Sequence, residues 1–346
     1  MKILFCNSNG LHPYGCSGAE KTIYDFLLYL CNNYDVLSIN CIENYLLSKQ
    51  KFSYINNHKI IFNNKNFKKI FFCSKERFYN DSIKYIIDYK PNIIFSQLNY
   101  LEQIFDYVIK INNSCKIVFF QHGEFKESEQ IVNILETKYV NKIICCSQYV
   151  KNTLPSNLQK KAFVVYPYFD KRTYKIYDKD ALYHKDKVLF FNPIKNKGAE
   201  IVIELALKMP NINFQVFKAY NIIENKYTRK MSNIKNINVN EFELSIKKIY
   251  KEAKLVIFPS IINEGLGRVI IEAQINHIPV IASNLGGINE AINNKYLLID
   301  NFLDVYEWYS RLNYIFNSYN NYVNLVNSIN LENSHFFDCD LNNIIF

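Results

Sequence analysis

The 346-residue chain carries a formal net charge of +9, is 49% hydrophobic and is 21% charged. This composition is typical of a soluble globular protein and excludes the fibrous and intrinsically disordered classes. No apolar run approaches the ~18 residues of a transmembrane helix, and the nine cysteines include no C-x-x-C pair, which argues against a disulfide framework or a paired zinc site. The length suits two domains of ~150 residues each.

The first predicted strand, Lys2–Cys6, begins almost at the start of the chain, so we expect no signal peptide and a cytoplasmic protein. A loop then leads to a helix whose apolar residues are helically spaced. Ser17 and Gly18 lie where this helix opens, and helix openings present backbone N–H groups that suit an anion. Because many strand-to-helix turns carry a glycine, this signal alone is weak.

The segment 65–90 interleaves basic side chains with aromatic ones, including Lys68, Lys69, Lys75, Phe71 and Phe78. Residues 1–165 hold 20 Lys/Arg against 13 Asp/Glu, so most of the positive charge lies in the first half. This mixture suits a segment lying on anionic lipid at the inner face of the membrane, with an ordinary half-buried helix or loop as the alternative. We find no nucleic-acid recognition motif and predict no nucleic-acid partner.

His122 follows the predicted strand Lys116–Gln121, where an open α/β sheet presents ligand-binding groups. A purely structural histidine is the alternative at this position. Further along, a polar segment around residues 168–186 marks a domain boundary near residue 170. We expect an N-terminal domain over 1–170, a C-terminal domain over 171–320, and a segment over 321–346 that crosses back to the first domain.

The predicted second domain opens with the strand Lys187–Phe191, followed by Lys197 and Gly198 at the start of an amphipathic helix. A lysine at this place offers a point charge to an anionic ligand, although a solvated surface lysine is the default interpretation.

The stretch 255–292 repeats a strand–loop–helix pattern twice, with glycines at both turns. Glu264 and Glu272 lie eight residues apart, which on a helix corresponds to ~80° of rotation and ~12 Å of rise. Both carboxylates can therefore border one elongated ligand. Near an anion site they suit hydrogen bonds from sugar hydroxyls, while two solvated glutamates are the alternative. The turn at Gly286 and Gly287 opens a further helix, whose N–H groups suit a diphosphate.

From Pro259 to Ile292 the chain resembles the E-x7-E signature region of family 4 glycosyltransferases. The resemblance implies the α/β GT-B fold, in which two Rossmann-like domains face each other across a cleft. The N-terminal domain is then expected on the acceptor side, and the C-terminal domain is expected to bind the nucleotide sugar. It also implies a retaining transfer of sugar from a nucleotide-sugar donor to a glycan or lipid-linked acceptor, as in the synthesis of surface polysaccharide precursors.

The family resemblance gives each site residue an expected role. Glu264 is expected to bind the donor sugar hydroxyls, Glu272 the ribose diol, Lys197 the diphosphate, and His122 the sugar from the other domain. The expected catalytic residues are thus Glu264, His122 and Lys197. The expected donor-binding set is Ser17, Gly18, Lys197, Glu264, Gly265, Leu266, Gly267, Arg268, Glu272, Gly286 and Gly287.

Two of the chain's departures from the family pattern concern the expected donor site. Ser17 stands where a first glycine is usual, and Asn192 stands where an arginine usually precedes the lysine. Arg268 or Lys195 is expected to supply the missing charge. These departures give weight to a non-catalytic nucleotide-sugar-binding or membrane-surface protein, and a sugar-nucleotide epimerase is the alternative among GT-B enzymes.

No cofactor or metal is expected beyond the nucleotide-sugar substrate. The two Asp-x-Asp patterns, Asp178–Asp180 and Asp338–Asp340, do not follow buried strands in mid-chain, as a metal-binding motif of GT-A glycosyltransferases would. The dinucleotide fingerprint Gly-x-Gly-x-x-Gly, a Walker A loop and a His-Glu-x-x-His motif are all absent from the sequence.

Overall fold

The computed structural model describes residues 1–8, 10–11, 17–42, 59–64, 66–97, 101–125, 139–176, 186–220, 224–292 and 294–319. The described chain divides into two compact units, the first ending at Tyr168 and the second beginning at Phe169. The predicted C-terminal segment 321–346 and both Asp-x-Asp patterns lie outside the described residues. Each unit is an α/β layer structure built on its own sheet.

The first unit contains an eight-stranded sheet in the order β3-β4-β2-β1-β5-β6-β7-β8. All neighbours pair in parallel except the edge strand β3, which runs antiparallel to β4. The strands are β1 Lys2–Asn7, β2 Asp35–Cys41, β3 Lys59–Asn64, β4 Phe67–Phe72, β5 Ile93–Ser96, β6 Lys116–Gln121, β7 Val140–Cys145 and β8 Ala162–Val164. The near-continuous apolar runs of the central strands reflect burial on both sheet faces.

Helices cover the first sheet, and α1 packs on the core of one face. The helices are α1 Gly18–Leu30, α2 Lys75–Tyr89, α3 Glu102–Ile111, α4 Gln148–Asn152 and α5 Ser156–Gln159. Ile23, Phe26 and Leu27 of α1 share a buried cluster with Ile3 and Phe5 of β1. The Phe26 ring makes edge-on contacts with Phe95 and Phe120, which fixes α1 across β5 and β6.

The aromatic residues of the segment 65–90 belong to the core. Phe67 and Phe71 of β4 and Phe78 of α2 are at most 3% exposed, so their rings cannot insert into lipid. The interfacial interpretation of this segment is therefore wrong for its apolar half. The segment is instead a parallel strand followed by an amphipathic helix, whose Ser74 hydroxyl caps the N-terminus by accepting from the Arg77 N–H.

The second unit contains a six-stranded parallel sheet in the order β11-β10-β9-β12-β13-β14. Its strands are β9 Lys187–Phe191, β10 Asn213–Phe217, β11 Ile237–Asn240, β12 Ala253–Phe258, β13 Val280–Ser283 and β14 Leu298–Ile299. Its helices are α6 Lys171–Tyr174, α7 Ala199–Lys208, α8 Lys226–Ser232, α9 Ile246–Tyr250, α10 Arg268–Ile275, α11 Ile288–Ala291 and α12 Val305–Asn317, with short 3-10 turns at Lys195–Lys197 and Lys295–Leu297.

The order of the strands determines where each unit can bind a ligand. In the second sheet the chain runs from β9 outward to β11 and then returns to β12, so the connections reverse direction between β9 and β12. The first sheet has the corresponding reversal between β1 and β5. In open α/β sheets, ligands bind beyond the carboxyl ends of the strands at such reversals. No described helix is long and apolar enough to cross a bilayer.

Candidate active site

Lys197 and Glu264 meet beyond the carboxyl ends of β9 and β12. The Lys197 ammonium forms an ion pair with Glu264 Oε1, and the two side chains are 24% and 15% exposed. The Ser260 hydroxyl, itself almost fully buried, lies 2.7 Å from the same carboxylate oxygen. The Lys197 ammonium also lies 5.8 Å from the centre of the Phe258 ring. A cation and a carboxylate are thus held side by side in a partly desolvated place, where charges interact more strongly than in bulk water.

Gly198 holds the lysine turn against the strand-end loop. Its φ is 79°, in the left-handed region, and a Cβ at this position would lie 2.0 Å from the Pro259 carbonyl oxygen. The Ile261 N–H donates to the Asn196 carbonyl (3.0 Å) and ties the same two segments together. Only glycine combines this backbone conformation with such a close approach, so the geometry requires glycine at position 198.

We expect Gly198→Ala to destabilise the second unit by at least about 1–2 kcal/mol, because of the left-handed conformation alone, with further loss from the overlap with Pro259. Urea denaturation measures this change. The control is Gly123→Ala, since a Cβ there meets nothing within 4 Å. If both variants show the same change in the free energy of unfolding, the turn at Gly198 accommodates a Cβ without loss of stability.

The Gly286–Gly287 turn joins the same site. The Gly287 N–H donates to the Glu264 carbonyl at 2.8 Å, and Gly286 has a φ of 58°. Lys197, Glu264 and the glycine turn are therefore brought together, as the proposed diphosphate site requires. However, the Gly287 N–H already donates to the Glu264 carbonyl. This amide is therefore not available to a phosphate, contrary to the prediction from the sequence.

The loop between Glu264 and α10 contains two glycines around a buried leucine. Gly267 has a φ of 91° and immediately precedes α10, where a Cβ would meet the Ile270 side chain at 2.8 Å. Leu266 is only 4% exposed and packs as a core residue, so its side chain does not line an open donor site. Gly265 lies between Glu264 and this buried leucine.

Arg268 does not serve as the spare diphosphate cation that the sequence suggested. Its side chain is 8% exposed and pairs with Glu272, with 3.6 Å between Nε and Oε1. Its guanidinium lies 4.3 Å from the centre of the Phe169 ring and donates through Nη2 to the Tyr174 hydroxyl at 2.7 Å. A guanidinium held in this way belongs to a buried cluster. Lys195, exposed in the turn that also carries Lys197, remains the candidate for that charge.

Glu272 lies inside the same cluster. Its Oε2 accepts from the Tyr250 hydroxyl at 3.3 Å, while Oε1 faces Arg268. Burial, followed by the neighbouring Glu272 carboxylate, raises the pKa of Tyr250 well above its usual value, so this hydroxyl stays protonated and donates. These contacts hold the Glu272 carboxylate in the buried cluster beside Arg268 and Tyr250.

The Asn276 side chain fixes the segment 169–176 against α10. Its amide nitrogen donates to the Tyr174 carbonyl (2.9 Å) and the Glu272 carbonyl (2.8 Å), and its oxygen accepts from the Ile176 N–H (2.8 Å). Sequence reasoning missed this arrangement because its partners lie about a hundred residues apart along the chain. It positions the helix that carries Glu272.

Asn192 stands where the family resemblance implies an arginine, and its backbone is left-handed. Its φ is 60°, at the carboxyl end of β9, and asparagine tolerates this left-handed region better than arginine does. Its side-chain oxygen is buried and has no hydrogen-bond partner within the described chain. Asn192 therefore presents a neutral acceptor beside the reversal point rather than a cation.

In the first unit, Ser17 and Gly18 form the start of α1. The Ser17 N–H donates to Glu20 Oε2 at 2.8 Å, and the Ser17 hydroxyl contacts the same carboxylate. This capping arrangement engages the Ser17 amide. His122 lies just beyond β6, where its ring stacks on Phe120 with 5.8 Å between ring centres and an interplanar angle of 8°.

Across the described ranges no group of three or more metal-ligating side chains is found. Metal independence stays a prediction, since the Asp-x-Asp patterns lie outside those ranges.

Part of the second unit is similar to known proteins. Residues 187–330 match the family model described as Glycosyl transferases group 1, a range that includes Lys197, Glu264, Glu272 and the glycine turn. The match covers less than half of the 346-residue chain. An uncharacterized glycosyltransferase of Methanocaldococcus jannaschii is 30% identical over 164 residues, covering 45% of this chain and 44% of the relative. The chain thus matches less than half the length of that curated relative.

Solved structures resemble this chain over more than nine-tenths of its length. HepE of Anabaena, in complex with UDP, aligns with a TM-score of 0.72 and 17% identity over 98% of this chain and 96% of HepE. Sucrose-phosphate synthase of Thermosynechococcus elongatus aligns with a TM-score of 0.68 and 15% identity, over 91% of this chain and 90% of the synthase. At these identities the likeness shows the fold, and the predicted α/β GT-B architecture with two domains is confirmed.

Proposed function

We propose that the protein is a glycosyltransferase that uses a nucleotide-sugar donor. The observation that carries this proposal is the meeting of Lys197, Glu264 and the Gly286–Gly287 turn at the reversal point between β9 and β12. The match of residues 187–330 to the group 1 glycosyltransferase model and the solved complexes of HepE with UDP and with UDP-glucose support it.

The chemical demand on this site is the negative charge that builds on the departing diphosphate. Lys197 is placed to meet that charge, and its ion pair with Glu264 keeps it ordered before the donor arrives. When the diphosphate takes over the ammonium, Glu264 is released to accept hydrogen bonds from the donor sugar hydroxyls. Donor binding therefore replaces the Lys197–Glu264 ion pair with two contacts to the ligand. Lys197 then pairs with the diphosphate, and Glu264 accepts hydrogen bonds from the sugar.

The finer assignments are part of the same proposal. Transfer proceeds with retention of configuration and without a metal, the acceptor attacking from the face that the diphosphate leaves, with Glu264 as the alternative covalent nucleophile. Glu272 binds the ribose diol and His122 supports the sugar. The transferred group is a hexose, and the acceptor is a glycan or lipid-linked sugar of polysaccharide synthesis.

Binding and turnover of nucleotide sugars test the proposed function. We expect UDP and UDP-glucose to raise the melting temperature, with ADP and GDP as comparisons for the base, because a ligand of the native state stabilises it. Release of UDP only when an acceptor glycan is added indicates transfer. Release of a free altered sugar without acceptor would indicate an epimerase, and binding without turnover a non-catalytic protein. Absence of any nucleotide binding contradicts the proposal.

We also propose that the protein attaches to anionic membranes. The contact is made by exposed lysines alone, since the phenylalanine rings of the segment 65–90 are buried. Lys68, Lys75 and Lys84 are exposed. Lys69 is unsuitable, because its ammonium lies 5.0 Å from the centre of the Tyr24 ring and burial lowers its pKa. We expect salt-sensitive binding to phosphatidylserine vesicles.

We expect this vesicle binding to be lost when Lys68, Lys75 and Lys84 are all changed to Glu. The matched control changes three exposed lysines of the second unit, Lys230, Lys235 and Lys247, to Glu and alters the net charge equally. Equal losses for both triple variants would mean that only overall charge matters, and unchanged binding of the first would exclude this surface.

A further inference from the structure

One face of the first sheet carries apolar side chains on β1 and β5, Ile3, Phe5, Ile93 and Phe95, and ends in a row of amide side chains. Side chains alternate between faces along a strand, so Asn7 lies on the face of Ile3 and Phe5, which α1 covers. The same alternation places Asn40 on this face in β2 and Gln97 just past β5. Asn7 pairs in register with Asn40, and Cys6 pairs with Ser96, which puts Gln97 beside Asn7. The three amides thus lie side by side on neighbouring strands.

These amides are buried and lack hydrogen bonds. All three residues are 0% exposed. Within the described structure neither polar atom of the Asn7 or Gln97 side chain has a partner, and Asn40 Oδ1 has none, although its amide nitrogen donates to Ser38 Oγ at 3.2 Å. Leaving a buried polar group unsatisfied destabilises the folded state, so native proteins rarely do so. Three neighbouring cases on one face therefore indicate a site with a polar occupant.

The position of the row agrees with a binding site. Asn7 and Gln97 end β1 and β5, the two strands between which the connections of this sheet reverse direction. Ligands of open α/β sheets bind beyond the strand ends at this place. His122, which continues the alternation from Phe120 on β6, lies at the same sheet edge.

The chemistry of the row selects a neutral ligand. Asn7, Asn40 and Gln97 provide amide donors and carbonyl acceptors but no charge. Phosphate or carboxylate binding usually relies on arginine, lysine or a series of backbone N–H groups. Sugar hydroxyls each donate and accept, which matches a row of amides.

We propose that Asn7, Asn40 and Gln97 form a binding site for the hydroxyl groups of an uncharged sugar. This inference deepens the proposed function and rests on it. In the proposed reaction, sugar groups belong both to the acceptor and to the transferred part of the donor. The two sources share the same chemistry, and the experiment distinguishes them.

The first test separates a ligand site from a structural network. Asn7→Leu and Gln97→Met keep side-chain shape and remove the polar atoms, so each leaves the urea midpoint unchanged or raises it. Asn276→Leu serves as the control, because that amide has three partners within the protein, and this change lowers the midpoint. Lower midpoints or loss of folding for both Asn7→Leu and Gln97→Met would show that the row is structural and would overturn the proposal.

The second test measures sugar binding by saturation-transfer NMR and calorimetry on the full chain. The probes are the methyl glycosides of glucose, galactose, mannose and N-acetylglucosamine, with UDP and UDP-glucose as separate ligands. We expect at least one sugar-bearing probe to show binding that depends on its sugar, and both variants to weaken it about tenfold, as expected for the loss of one or two hydrogen bonds. Binding by the variants equal to wild type would overturn the proposal.

The two kinds of probe, methyl glycosides and UDP-glucose, show whether the bound sugar belongs to the acceptor or to the donor. If the row binds the acceptor, the variants lose methyl glycoside binding and keep the wild-type ratio of UDP-glucose to UDP affinity. If it binds the donor sugar, that ratio falls. A wild type that binds no glycoside and prefers UDP-glucose no more than UDP contradicts the inference even when UDP binds well. Glycoside binding without nucleotide binding contradicts the proposed function and leaves the sugar site in place.

Discussion

Glu264→Gln is expected to lower the rate of sugar transfer at least about tenfold, or ~1.4 kcal/mol of barrier, without weakening UDP binding. The two effects separate because Glu264 and Lys197 are paired before the donor arrives. Removing the carboxylate charge frees the ammonium for the diphosphate, so UDP affinity is unchanged or higher, while the acceptor of the sugar hydroxyls is impaired. Steady-state rates and UDP titrations measure both quantities.

Lys197→Ala is the complementary change, and we expect it to weaken UDP binding as well as transfer, again by at least about tenfold in rate. Glu241→Gln is the matched control for the glutamate change, because Glu241 also pairs with a lysine, Lys218, but is 82% exposed. That control leaves the rate unchanged. Wild-type rates from both Glu264→Gln and Lys197→Ala would discard this site.

Arg268→Met is expected to cost about 3–5 kcal/mol of stability, the usual result of leaving one member of a buried ion pair without its counter-charge. Arg268 and Glu272 are 8% and 7% exposed, so water cannot replace the lost contact at low cost. The change also removes the hydrogen bond to the Tyr174 hydroxyl and the contact with the Phe169 ring. Urea denaturation gives the free energy of unfolding.

The double variant Arg268→Met with Glu272→Gln removes both charges, and we expect it to be more stable than Arg268→Met alone. The Lys218–Glu241 pair has an exposed carboxylate, and we expect its removal by Glu241→Gln to change stability by less than about 1 kcal/mol. A loss for Arg268→Met no larger than that of Glu241→Gln would mean that the buried pair contributes nothing measurable.

Local patterns predicted the frame of the candidate site well. The apolar run Leu255–Phe258 lies within β12, and the helical spacing from Arg268 onward corresponds to α10. Glycines at positions 198 and 267 mark left-handed backbone in the structure. These features depend on residues close in sequence, whose periodicity and turn chemistry are visible in a single chain.

Contacts between distant residues were not predictable in the same way. The charge of Arg268 suggested a phosphate ligand, but its Tyr174 partner lies 94 positions earlier. The aromatic rings of the segment 65–90 suggested an interface, yet sheet pairing buries them, as β4 lies beside β2. The amide row depends on the register of three strands, which a single sequence does not reveal.

The contacts of Arg268 and Asn276 with the segment 169–176 also determine where a shortened chain containing only the second unit can begin. Similarity to the group 1 family begins at residue 187, yet the ring of Phe169 and the backbone around Tyr174 and Ile176 supply contacts to α10. A truncated chain starting at the family match would remove those partners and expose the buried charges to solvent. Independent expression of this half therefore has to begin upstream of Phe169.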